Sequence, residues 1–252
     1  MEKLEIQCEI ITPLLLHGAN KQNAELRAPS IKGAMRFWWR AIHGNLPLDE
    51  LREQEAEIFG DTERKSGFGI RVLNSNLEID SFNPLPHKKD NFKIKGFQTN
   101  QTFEIEFFGK NIETVKNIFI LSTILGGFGQ RARRGFGSIQ IVGNEVLTSL
   151  NKVESFINNV PTFENSQTNY PYIKDIEIGK TEETDFNKVL KKIGEATHNY
   201  PYFGSANPRF ASPVYISIIR IENKYYPIIT TLKSTKYIKQ FNQLKDFKKA
   251  IL

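Results

Sequence analysis

Cysteine is almost missing from this sequence: among 252 residues only Cys8 carries a thiol. One thiol excludes an internal disulfide and any cysteine-cluster metal site. Its alternation with Leu4, Ile6 and Ile10 makes Cys8 a core residue of a strand. Long apolar runs are missing as well. The longest near-apolar stretch, around Ile118 to Phe128, is too short to span a bilayer, and Met-Glu-Lys-Leu-Glu leads into strand-like alternation with no apolar signal segment. The expectation is a cytoplasmic protein without a membrane partner. Histidine is sparse, and His43, His87 and His198 are too dispersed in the sequence to suggest a triad or a metal centre. Asp49, Glu50, Glu53, Glu55 and Glu57 crowd one short segment, where they read as a solvated face or a subunit contact, and two-metal nuclease chemistry would need acids converging from a scaffold. No metal, cofactor or catalytic residue is expected.

What is present is enough apolar residue, 39%, to build one large or two small cores, together with a formal net charge of +6. A polyanionic partner fits that charge, but charge alone does not separate RNA from DNA or an anionic membrane. Local pattern is more informative. Gly126 to Ser138 reads Gly-Gly-Phe-Gly-Gln-Arg-Ala-Arg-Arg-Gly-Phe-Gly-Ser, three arginines between two Phe-Gly pairs. Glycines permit positive φ and close backbone approach, and successive N–H groups can form an anion-binding concavity. Arg131, Arg133 and Arg134 add phosphate-matching forks, with Phe128 and Phe136 as possible stacking surfaces. The same composition also suits a plain flexible connection. A nucleotide P-loop does not fit, because the segment lacks the Gly-Lys-Ser/Thr ending and follows a helix pattern instead of preceding one.

Periodicity predicts a strand over Leu4 to Ile11, a helix capped by Ser30 and running to about His43, and a short helix from Leu51 to Phe59 ended by Gly60. Strands follow at Phe68 to Val72 and Thr102 to Phe108, separated by a Pro- and Lys-rich stretch at Asn83 to Lys95. A helix over Ile112 to Leu125, the glycine-rich loop and a strand at Ser138 to Val142 complete a βαββαβ series, the ferredoxin-like or RRM-like order. Polarity rises after residue 148, and Asn158 to Asn169 reads as a linker. Beyond it come a strand at Ile173 to Ile178, a helix at Thr184 to His198, a hairpin from Pro213 to Leu232 across Asn223-Lys224, and a terminal helix from Thr235 to Ile251. The fold class is therefore α+β, with a ferredoxin-like unit over 1–148 and a second, partial one over 149–252.

On the helix after Ser30, steps of about 100° put Ile31, Met35, Trp38 and Ile42 on one stripe. Lys32, Arg36, Arg40 and His43 share a neighbouring face, with Trp39 beside them. An ordinary amphipathic helix with both tryptophans packed would show this pattern too. As a nucleic-acid surface, the cations would bind phosphate and Trp39 would stack on a base.

The residues also carry a resemblance. Ile-Thr-Pro-Leu-Leu-Leu-His-Gly-Ala at 11–19, Glu25 through Arg-Phe-Trp-Trp-Arg-Ala to Ala41, Glu-Ala-Glu-Ile-Phe-Gly at 55–60 and the 126–138 loop together resemble the RAMP superfamily of CRISPR proteins. Among these the chain is similar to the first subunit of Cmr-type (type III-B) effector complexes, and Arg209-Phe-Ala-Ser-Pro-Val fits the same subunit. The resemblance implies tandem ferredoxin-like domains and partners that are other subunits of the effector complex and its guide (crRNA) or target RNA, in antiviral defence. It assigns RNA binding, to the guide near its 3′ part or to the paired target, to Lys32, Arg36, Arg40, Arg131, Arg133 and Arg134. His17 stands where a small residue is expected. It is the one candidate for an alternative, metal-independent endoribonuclease role as general acid or base, with Lys21 or Arg27 against the phosphorane charge. His17, Lys21 and Arg27 otherwise count as possible RNA contacts. A third reading makes the Lys-bearing C-terminal segment and the Tyr200-Pro-Tyr-Phe-Gly loop a subunit-docking surface.

Overall fold

A computed structural model describes residues 2–20, 22–73, 76–89, 92–165, 170–200, 205–206, 209–233 and 243–252, with 205–206 and 209–210 described by backbone alone. Strand β1 (Glu2–Ile10) leads into helix α1 (Ala28–Ala41), helix α2 (Leu48–Phe59) and strand β2 (Phe68–Leu73). A hairpin of β3 (Ile79–Phe82) and β4 (Ile94–Phe97) then interrupts the series before β5 (Thr102–Gly109), α3 (Ile112–Leu125) and β6 (Ile139–Ile141). The main sheet runs β2-β5-β1-β6, and β1 and β5 are antiparallel to each neighbour they pair with. That is the split βαβ arrangement of a ferredoxin-like unit. Alternation in β1 buries Ile6, Cys8 and Ile10 beneath α1 and α3, as their period of two requires.

The second half holds α4 (Leu150–Asn158), β7 (Tyr172–Ile178), α5 (Phe186–Asn199), the short strands β8 (Ser205–Ala206) and β9 (Arg209–Phe210), then β10 (Val214–Ile221), β11 (Lys224–Lys233) and α6 (Leu244–Lys249). Its antiparallel sheet runs β10-β11-β7. This is the first unit's order with the fourth strand left out. The α+β class and the partial second unit are therefore those the sequence pattern gives.

The two sheets do not keep separate cores. Ile216 and Ile218 of β10 pack with Val189, Leu190 and Ile193 of α5 and with Ile11, Leu15 and Phe136 from the first half. Ile219 and Ile221 join Trp38 of α1, Leu121, Ile124 and Leu125 of α3, and Val153 and Ile157 of α4. Burial on both faces explains why β10 is nearly continuous in apolar residues. It also explains why α3 is apolar around most of its circumference.

Several local expectations change. Helix α1 begins at Ala28, not after Ser30, because Pro29 fits the first helical turn, where its missing N–H costs nothing. The Pro- and Lys-rich insertion ends in the strand β4, paired to β3 and joined to the first unit where Leu14 and Phe97 exchange backbone hydrogen bonds. Helix α4 lies where polarity suggested the approach to a linker; Ser149 caps it and Val153 and Ile157 bury its apolar stripe. Of the terminal helix, Leu244–Lys249 is seen, while residues 234–242 lie outside the described residues.

Candidate nucleic-acid interface

Lys32, Arg36 and Arg40 do share one face of α1, and that face looks toward α2. Arg40 grips Glu55 with two bonds, Nε to Oε2 at 2.6 Å and Nη2 to Oε1 at 2.9 Å, while Arg36 Nε donates to the same Oε1. Glu55 is 4% exposed. The carboxylate expected on a solvated acidic face is thus buried beneath two guanidiniums, because α2 packs its Leu51–Glu55–Phe59 stripe against α1. Lys32 Nζ donates to Ser66 Oγ at 2.5 Å and to the Phe68 carbonyl at 3.2 Å, and sits 4.6 Å from the Phe68 ring centroid. Burial, then the neighbouring Arg36 charge, lowers its pKa. Arg40 also lies 4.8 Å from the Tyr170 ring. Two guanidiniums share one carboxylate while Lys32 is held by Ser66 and Phe68. Arg36 opens onto a cavity of about 790 Å³ bounded by residues 59–66, where Arg64 and Lys65 stand with Asp61 and Glu63.

Trp39 does not join that face as a stacking surface. It is 3% exposed, packed in the first core and stacked on His43 with ring centroids 4.2 Å apart. Phe128 and Phe136, 2% exposed each, are likewise core residues, so none of the three rings is open to a base. The Phe-Gly pairs are legible as a packing device: bulky rings turn inward where glycine lets two backbones touch. A Cβ on Gly137, at φ 69°, would fall 1.9 Å from the Phe128 carbonyl oxygen.

The glycine-rich loop itself is a seam between the two sheets. Phe128 N donates to Gly137 O, Gln130 N to Leu15 O, Gly137 N to Pro13 O and Gly135 N to Ile216 O, at 2.8–3.0 Å. These N–H groups are therefore used within the protein instead of forming an open concavity. Arg133 donates to the Ser212 carbonyl and lies 4.5 Å from the Tyr215 ring, and Arg134 donates to the carbonyls of Arg133 and Val214. Burial, with Arg131 and Arg133 close by, pulls the Arg134 pKa down to about 10, so it stays charged at neutral pH. Both arginines brace the start of β10; they are not free side chains of a flexible clamp. Nor do the two arginine groups converge. Tyr215 packs on Trp38, about 200° around α1 from Arg36, so the helix stands between the α2-facing cations and the loop.

Arg131 differs from its neighbours. It holds φ 61° at the loop's outer turn, next to exposed Gln130, and burial alone lowers its pKa. His17 is half-buried; its Nδ1 meets the Gln130 amide at 3.5 Å and its Nε2 is shut from solvent without a partner. Arg27 pairs with Glu25 at 3.5 Å, and Lys21 lies outside the described residues. Sequence reasoning set His87 and His198 aside as dispersed, yet their rings lie 5.6 Å apart. The pairing depends on how the β3–β4 insertion folds back onto α5, which no local pattern announces. Among the described residues, no cluster of three or more His, Cys, Asp or Glu side chains could hold a metal ion, and no helix is long and apolar enough to cross a membrane.

The fold defines a tandem ferredoxin-like protein with a cationic helix face and an arginine-braced seam. Residues 7–140 match the model of the RAMP superfamily, and the chain belongs to that superfamily. It is similar to two Pyrococcus furiosus proteins, the CRISPR system Cmr subunits Cmr1-2 and Cmr1-1. Identity to Cmr1-2 is 32%, covering 53% of this chain and 91% of that one; identity to Cmr1-1 is 28%, covering 98% and 94%. Two solved structures share the fold. The apo crystal structure of P. furiosus Cmr1 superposes with a TM-score of 0.70 at 21% identity, covering 100% of this chain and 96% of that one. A chain of the type III-B Cmr-beta complex bound to cognate target RNA gives 0.66 at 12% identity, covering 98% and 99%.

Proposed function

We propose that this chain is an RNA-binding structural subunit of a type III-B CRISPR effector ribonucleoprotein, contacting guide RNA near its 3′ part, target RNA, or both. The observation that carries this reading is the α2-facing side of α1, where Lys32, Arg36 and Arg40 outnumber the buried carboxylate Glu55; the open cavity at Arg36 adds Arg64 and Lys65 against Asp61 and Glu63. Rigid cations on a helix fix a backbone in register without supplying a proton-transfer group. The Cmr1 relatives support the assembly, and the RNA named with the Cmr-beta complex supports the ligand. Arg133 and Arg134 serve the fold first, and binding is assigned to Lys32, Arg36, Arg40 and Arg131. The subunit works without catalysis, in the cytoplasm, with other subunits of the complex as partners.

Filter binding of matched single-stranded RNA and DNA across a salt series is the test. The double variant Lys32→Gln/Arg36→Gln keeps Arg40 on Glu55 and should fold, bind RNA more weakly across sequences and show a shallower salt slope. Salt-independent affinity, or a folded double variant that binds normally yet fails to assemble, would overturn the reading. Equal and undetectable cleavage of labelled RNA in chelator by wild type and His17→Ala is expected.

A further inference from the structure

A second convergence of polar groups lies on the far side of the seam, and the fold makes no use of it. The β3–β4 insertion lays His87 directly on α5: a Cβ on Gly194 would come within 2.3 Å of His87 Nδ1. That nitrogen is closed to solvent and has no hydrogen-bond partner. One turn further along α5 stands His198, exposed, its ring centroid 5.6 Å from that of His87. From the glycine-rich loop Arg131, and from the insertion Lys88, set positive charge against the His87 imidazole; Glu195 on α5 opposes them and lies 3.9 Å from Lys191. A metal cation would be repelled by the guanidinium and ammonium groups. An anion would be drawn in, since the His198 ring, the guanidinium and the His87 ring through Nε2, its Nδ1 being closed against Gly194, can donate to its oxygens.

At Pro86, the residue before His87, the surface opens into a cavity of about 370 Å³, with Pro13, Phe82, Pro86 and Phe136 as apolar wall and Lys188 and Lys191 among its polar lining. The carboxylate that also lines it, Asp185, caps α5 and accepts from Asn187 N. Its size lies within the range of about 300–1,000 Å³ typical of small-molecule pockets. A free phosphate would leave it empty, whereas a nucleotide splayed from a single strand brings an apolar base along with its phosphate.

We propose that Arg131, His87 and His198 form a phosphodiester subsite for single-stranded RNA, with the adjoining base lodged in the cavity between Pro13, Phe82 and Phe136. The proposal rests on the RNA-binding reading and deepens it, giving Arg131 two histidine partners at a contact apart from the α1 face. A phosphate favours the charged imidazoles, so RNA binding strengthens as pH falls through the histidine range.

The experiment follows the imidazole resonances of the full chain by NMR during titration with a short oligouridylate and, separately, with inorganic phosphate. RNA affinity is measured in parallel from about pH 8 to 5.5. The oligouridylate should move the His87 and His198 resonances at concentrations where phosphate does not. Affinity should rise about tenfold for each imidazole whose pKa climbs by about one unit on binding. His198→Gln, at an exposed position, and Arg131→Gln should each flatten that rise, and His87→Gln should do the same if it folds. RNA binding with unmoved histidine resonances, or with an unchanged pH profile in folded His198→Gln and Arg131→Gln, refutes the subsite and leaves the α1 face standing. Resonances that answer to phosphate but not to RNA overturn the RNA assignment, and no RNA binding at any pH overturns the proposal together with the reading beneath it.

Discussion

The side-chain amide of Gln140 on β6 takes both main-chain groups of Arg220 on β10: Oε1 accepts from the Arg220 N–H, and Nε2 donates to the Arg220 carbonyl at 2.9 Å. One amide thereby imitates a rung of strand pairing. Two residues earlier on β10, the Ile218 N–H donates to Ser138 Oγ at 3.0 Å, and two before that the Ile216 carbonyl accepts from Gly135 N at 2.8 Å. Alternate residues of β10 thus present one edge to the end of the glycine-rich loop, and the two sheets meet edge to edge. Arg220 completes the join with its guanidinium on Glu9 at 2.6 Å and on Asn100 at 2.9 Å.

Gln140→Ala should therefore destabilise the protein by about 1–3 kcal/mol, since the partly buried N–H and carbonyl of Arg220 lose their partner together. Urea unfolding should show a lower midpoint with an unchanged slope. A shallower slope would mean that the halves have begun to unfold separately.

At Glu55 the two sides of the ion cluster are unequal. Glu55→Ala leaves two guanidiniums without their shared carboxylate and should cost about 3 kcal/mol. Arg36→Ala leaves the bidentate Arg40 pair intact and should cost about 1 kcal/mol or less. Glu55→Gln, if folded, should bind RNA more tightly and with a steeper salt slope, because both cations are then released toward phosphate. Thermal melts and filter binding check all three.

Two glycines separate flexibility from necessity. Gly33 sits exposed in α1, with nothing within 4 Å of the place an alanine methyl would take, so Gly33→Ala should raise stability by about 0.5–1 kcal/mol. Gly137, with positive φ and the Phe128 carbonyl in the way, should lose roughly 2–4 kcal/mol as alanine. Equal effects in denaturant titrations would contradict the geometry.

Burial, then the charges of His198, Lys88 and Arg131, lowers the His87 pKa, while Glu195 works against them. The unfolded chain then binds more protons than the folded one between the depressed value and the ordinary one. This contribution to stability is complete above the ordinary histidine pKa and is lost as pH falls through the depressed one. His87→Gln should remove that part of the acid loss, seen as a flatter dependence of melting temperature on pH below about 6.5 in RNA-free protein.

Much of the fold was legible because it is written locally. The period of two around Cys8, the helical stripe from Val115 to Leu125 and the hairpin turn at Asn223-Lys224 each specify an element from neighbouring residues. The shared face of Lys32, Arg36 and Arg40 followed from the helix period in the same way. What was not legible depends on partners far along the chain. Arg133 and Arg134 find carbonyls at Ser212 and Val214, about eighty residues away, so nothing near them distinguished a brace from a phosphate clamp. Trp39 looked available because its neighbours are charged, but Glu55 draws Arg36 and Arg40 together while the ring turns into the core. The meeting of His87 with His198 required the insertion to fold back, a contact with no sequence period.

Because α1 and α3 have given Trp38, Leu121, Ile124 and Leu125 to the second sheet, neither half is an interchangeable module. A chimera that joined one half to the corresponding half of a relative would have to import both helices' outer residues, the Thr12–Leu16 segment and the seam amide as a set. For this chain the smallest transplantable piece is the pair, and variation that alters one half is constrained by what the other half already holds.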